Sequence, residues 1–194
     1  MRKWLFLVLP AVLLAGCSSL PTGQSAVYGQ LKDSRRGITF IAFADNPGTI
    51  AIVVQNLFGY AAPRYAMVAD EPARVAIREA VAKFEQWEKL AMDNQVEVTR
   101  EITTVELVQM FPRGSEWDAG GTRDVTFVFS ARRENDDTLR VTLVLRSSAV
   151  FSPSDQIVLN PDQAADLRRY VDKGEVDAGY AQARKKQNAL DMFK

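Results

Sequence analysis

Apolar and polar positions fall into two rhythms along this chain. A period of two governs residues 123–146. Val125, Phe127 and Phe129 alternate with Asp124, Thr126 and Ser130, and only Val128 breaks the polar face. Past the turn Glu134-Asn135-Asp136-Asp137, residues Leu139, Val141, Leu143 and Leu145 alternate with Arg140, Thr142 and Arg146. This is a hairpin with one buried face and one wet face. Residues 37–44 and 49–54 are apolar on both faces, since Ile38, Phe40 and Ala42 alternate with Thr39, Ile41 and Phe43. Asp45-Asn46-Pro47-Gly48 between them is a turn former, which predicts a second antiparallel pair lying inside a sheet. Residues 94–111, rich in Val, Ile and Thr, read as one long or bulged strand. Ile102, Val105 and Val108 in that run also fit helical spacing. A further strand is expected over 149–159, interrupted near Pro153.

The second rhythm has a period of three and four. Asp70-Glu71-Pro72 opens a helix expected to run to about residue 92, with Asp70 as cap and Pro in the first turn. Ile77, Ala80, Val81, Phe84, Trp87 and Ala91 form its apolar stripe, while Arg78, Lys83, Glu85, Glu88 and Lys89 lie mainly elsewhere. Asn160-Pro161-Asp162-Gln163 starts a shorter helix by a capping box, with Ala164, Leu167, Tyr170 and Val171 as its stripe and Gly174 to close it. Residues 175–194 are helix-prone. Tyr180, Leu190, Met192 and Phe193 are too sparse there for a core face, so a docked or frayed helix is expected. Together these elements predict an α+β fold, a mainly antiparallel β-sheet packed by one long and one short helix. The body is expected over 26–173, with a polar tail over 174–194.

Composition narrows the chemistry. The chain has 194 residues, 47% apolar and 25% charged, which is the range of an ordinary folded domain. It has no His, which removes the Ser-His-Asp and Cys-His catalytic arrangements and the commonest metal ligand. A single Cys removes internal disulfides and thiolate zinc clusters. No cofactor is expected.

The N-terminus carries an address. Met1-Arg2-Lys3 is basic, residues 4–14 are apolar, and Ala15-Gly16-Cys17-Ser18-Ser19 is small and polar. This order is that of a secretory signal peptide, and the apolar run is too short to span a bilayer comfortably. Leu14-Ala15-Gly16-Cys17 resembles the lipobox of bacterial lipoproteins. The resemblance implies removal of residues 1–16, diacylglyceryl attachment to the Cys17 thiol and acylation of the new amine. In a Gram-negative cell it would also imply sorting to the outer membrane, facing the periplasm, since Ser18 rather than Asp follows the Cys. Residues 17–25 then read as a flexible lipidated tether. Loss of Arg2 and Lys3 leaves 22 basic against 24 acidic residues, which provides no electrostatic footprint for nucleic acid.

Two segments are candidate sites. Glu116-Trp117-Asp118 lies in a Gly-rich stretch, 112–122, expected to be a loop. Two carboxylates beside an aromatic ring are the equipment of a glycan hydrolase. The bland alternative is a solvated loop with Trp117 folded onto the core. Leu57, Phe58, Tyr60, Arg64 and Tyr65 fall between a strand and a helix entry, where aromatics with Arg suit a partner-binding surface, and Trp117 is counted with them as a partner-binding candidate. Equally, these rings cap the open end of the sheet. Glu134-Asn135-Asp136-Asp137 lacks the ligand spacing of a calcium loop. Arg184, Lys185 and Lys186 are a solvated helix face or a contact for anionic lipid. The sequence therefore predicts a non-enzymatic, lipid-anchored envelope module that binds or scaffolds another envelope protein, with a carboxylate-dependent envelope hydrolase as the alternative.

Overall fold

The computed structural model describes residues 24–32, 36–56, 65–113, 116–135, 137–147 and 156–193. Its elements follow in the order β1 (Ser25–Lys32), β2 (Arg36–Phe43), β3 (Asn46–Asn56), β4 (Tyr65–Ala69), α1 (Glu71–Asn94), β5 (Val98–Arg113), β6 (Glu116–Arg133), β7 (Leu139–Ser147), β8 (Gln156–Leu159), α2 (Pro161–Tyr170) and α3 (Lys173–Asp191). The strands form one sheet whose spatial order is the chain order, every neighbour antiparallel. The fold is α+β. It carries one long and two shorter helices, and the segment expected as a docked or frayed helix is the docked α3, residues 173–191.

Local chemistry accounts for the helix limits. The Asp70 side chain accepts from Ala73 N–H at 3.0 Å, and Pro72 occupies the first turn. Asn160 and Gln163 exchange bonds of 2.8 and 2.9 Å in the expected capping box. Gly174, expected to close α2, instead lies in the first turn of α3. There its N–H reaches the capping carboxylate of Asp172 at 2.9 Å.

The core lies on the helix-bearing side of the sheet. Leu31, Ile38, Ile52, Met67, Leu107, Phe127, Leu145 and Leu159, one from each strand, surround the same void of about 10 Å³ together with Ile77 of α1 and Leu167 of α2. Eight strands about 4.8 Å apart would span roughly 34 Å if flat, so the sheet must be concave to converge on so small a space. The α2 helix completes the enclosure, with the Gln163 side chain donating to Lys32 O on the edge strand β1 while Asn160 follows directly from β8. Phe40, Phe84, Phe127 and Phe129 are fully buried, and each such ring contributes about 1.5–3 kcal/mol relative to exposure. The opposite face is apolar at its centre, where Ala51, Val53, Ala66 and Met110 cluster with Ile41, Phe43 and Val68. The pair β2–β3 is interior to the sheet and apolar on both faces, as its sequence predicts, with Ile41 and Phe43 half-buried on the face away from the helices.

Candidate binding groove

The apolar stripe of α1 loses its cover towards the helix end. Phe84 is fully buried and Trp87 half-buried, while Leu90 is 58% exposed and Ala91 is buried. Helix α1 stops at Gln95, which takes a left-handed φ of 53° and sends its N–H to Ala91 O. Asn94 Nδ2 caps Leu90 O and Gln95 Nε2 caps Met92 O, each at 2.8 Å, so the carbonyls of Leu90, Ala91 and Met92 are satisfied by the chain itself. The turn then sets Val96 and Val98, 46% and 38% exposed, along the opposite wall. Phe129 of β6, paired with Arg100 of β5, forms the floor.

The resulting groove has a volume of about 440 Å³, which is within the range of small-ligand sites. Trp87 organises it. Its ring meets Phe129 edge-on, with centroids 5.8 Å apart and planes at 85°. The Lys83 ammonium lies 5.3 Å from the Trp87 ring centre and the Arg100 guanidinium 5.5 Å from it. Both cations are exposed, and among the described residues neither forms an ion pair. Each is attracted by the ring quadrupole, which is worth about 0.5–1 kcal/mol at an exposed site. The groove thus combines apolar walls with the Arg100 guanidinium in its lining, and Lys83, outside the lining, meets the same Trp87 ring. No carboxylate, thiol or hydroxyl side chain lines it among the described residues.

A second depression, about 560 Å³, lies on the other side of the α1 end, between Glu88, Met92, the start of β7 and Pro161. Burial, then the charges of Glu85 and Asp162, hold the Glu88 carboxyl above its ordinary pKa. Among the described residues no three of His, Cys, Asp and Glu cluster so as to hold a metal ion. No helix among them is long and apolar enough to cross a membrane.

The residues that sequence singled out sit elsewhere. Tyr65, expected on a partner-binding surface, is buried in the main core at the start of β4, because the strand pairing Val54 with Tyr65 turns its ring inward. Leu57, Phe58, Tyr60 and Arg64 lie outside the described residues, as do Cys17 and the whole of 1–23. Glu116, Trp117 and Asp118 are on strand β6, opposite Arg113, Pro112 and Phe111, and not in a loop, because the β5–β6 ladder extends to this end of the hairpin. The groove itself escaped the sequence: Trp87 and Lys83 are visibly one helical turn apart, but only the β5–β6 register brings Arg100 to the same ring. Comparison of the chain with protein-family models, curated proteins and solved structures gives no match.

Proposed function

We propose that the protein is a lipid-anchored envelope binding module whose working surface is the groove at the end of α1. The groove carries this reading: apolar walls, a half-buried Trp87 and two cations at its ring that have no carboxylate partner among the described residues suit an apolar segment bearing an acidic group. A lining without nucleophile or proton-transfer group favours binding over catalysis. Support for anchorage comes from the sequence, in which a basic start and an apolar run lead into Leu14-Ala15-Gly16-Cys17. Tethering confines the domain to one surface, so even modest intrinsic affinity for a co-resident envelope protein is amplified by effective concentration.

A photo-crosslinking residue at Leu90, in the native membrane, tests the surface. One discrete adduct is expected, lost when Lys83 and Arg100 are both changed to Glu. Adducts no different from those formed at the exposed control position Gln55 would refute it. Anchorage is tested apart, by metabolic labelling with a radioactive fatty acid. Label is expected on the wild type and absent from Cys17→Ser; equal labelling of both would remove the anchor.

A further inference from the structure

The end of α3 lies against the place where the described chain begins. Gln24 N–H reaches Gln187 Oε1 at 3.4 Å, and Lys186 Nζ reaches Ser25 O at 3.3 Å. Ala183 packs against Ala26 of β1 and Ala44, all three buried. The small side chains allow helix and strand to approach closely. Gln24 is seven residues from Cys17, and a chain of seven residues reaches at most about 25 Å. Any lipid on Cys17 therefore holds this end of the domain within that distance of the bilayer surface.

This end has an unusual surface. The packed stripe of α3 runs Val176, Gly179, Ala183, Gln187, in steps of three and four, and Leu190 continues it past its cover at 48% exposure. Met192 and Phe193 follow in the turn after the helix, 79% and 87% exposed. They are the two most exposed large apolar side chains among the described residues. Around them stand Arg184, Lys185 and Lys186, all exposed, against the single acid Asp191, which accepts from Gln187 Nε2 at 3.0 Å. Exposed Leu, Met and Phe beside three cations are what an interfacial segment presents to an anionic bilayer.

Resting on the anchor reading, we infer that the α3 end is a second membrane contact. Leu190, Met192 and Phe193 dip into the headgroup region and Arg184, Lys185 and Lys186 meet anionic lipid, which fixes the orientation of the tethered domain. One acylated residue with a tether leaves the domain free to rotate; a second contact beside the tether removes most of that freedom at little entropic cost.

The test uses the lipidated full-length protein in vesicles of phosphatidylcholine with phosphatidylglycerol. Acylation of Cys17, the only Cys, allows a single environment-sensitive dye at Met192→Cys, or at Gln55→Cys as control. Quenching by lipids spin-labelled near the headgroup is expected to be several-fold stronger at 192 than at 55. Changing Lys185 and Lys186 to Glu should bring the two close together without altering the circular dichroism spectrum. Equal quenching at both positions, in protein that floats with the vesicles, would overturn the α3 contact and leave the anchor standing. Failure of the wild-type protein to float would overturn both.

Discussion

Arg74 shows how much a single buried side chain can organise. It lies in the first turn of α1, almost fully buried, with Nε donating to Gly48 O at 2.8 Å and Nη1 to Val171 O at 3.1 Å. One guanidinium thus ties the β2–β3 turn to the end of α2 across α1. A planar fork with several donors can do this, whereas a lysine ammonium on its flexible stem cannot hold both carbonyls. Arg74→Met keeps most of the volume but strands two acceptors, and it should cost about 2 kcal/mol in urea unfolding with an unchanged m value. Gly179 makes the opposite point, since its lack of a side chain is the structural feature. An added Cβ would stand 2.6 Å from the Tyr28 ring, whose hydroxyl donates to Tyr170 O at 2.8 Å and whose ionisation is suppressed by burial. Gly179→Ala should therefore destabilise by about 2 kcal/mol through overpacking, read as a fall in the thermal midpoint. Neither role was legible in the sequence, where Arg74 reads as one more surface charge on a helix.

At the scale of elements, legibility followed the strength of the local signal. Helix α1, the β2–β3 pair and the β6–β7 hairpin announce themselves by long, regular patterns and by turn and cap chemistry. Strand β1 does not, because its register shifts between Val27 and Gly29 and the alternation changes phase there. Strand β4, Tyr-Ala-Met-Val-Ala, is five residues long and low in β-branched residues, so its pairing with β3 and β5 is decided by tertiary context. Helix α3 reads from sequence as docked or frayed, because Gly179 and Ala183, not large residues, carry much of its contact with the sheet. Its cap offers a test. The Asp172 carboxyl lies below its ordinary pKa, chiefly through the Gly174 N–H and also through Arg78, 3.1 Å away. A carboxyl lowered on folding contributes stability above its unfolded pKa of about 4, and the contribution fades as pH falls through the folded value. Asp172→Ala should cost about 1 kcal/mol near neutral pH. Asp172→Asn keeps an N-cap acceptor, so its deficit relative to wild type should shrink on acidification, as measured by urea unfolding at about pH 6 and about pH 3.

For the whole molecule, the decisive feature is that one concave sheet closes around one helical layer. Concavity allows every strand to share a void of about 10 Å³, and α2 bridges the edges β1 and β8. A layer shaped in this way fits best at its centre and worst where a long helix runs out from under it. The groove forms there, at the end of the 24-residue α1, with a packed wall of Trp87 on Phe129 behind it. The stripe containing Trp87 was plain in the sequence. Where its cover would end was not, because that depends on how far β5 and β6 reach beside the helix. An apolar, anionic dye such as anilinonaphthalene sulfonate matches both properties of the groove, its apolar walls and the cations at Trp87, which form no ion pair among the described residues. The folded protein should therefore enhance the dye's fluorescence saturably. Val98→Arg should narrow the groove and abolish most of the enhancement, and Arg100→Glu should weaken dye binding severalfold while leaving the thermal midpoint nearly unchanged, since Arg100 is exposed. Changing Met192 and Phe193 to Ser serves as the control, because those side chains are the most exposed large apolar ones among the described residues. If that change removed the signal and the groove substitutions did not, the dye would be reporting the α3 end, and the groove would lose its claim to be the binding surface.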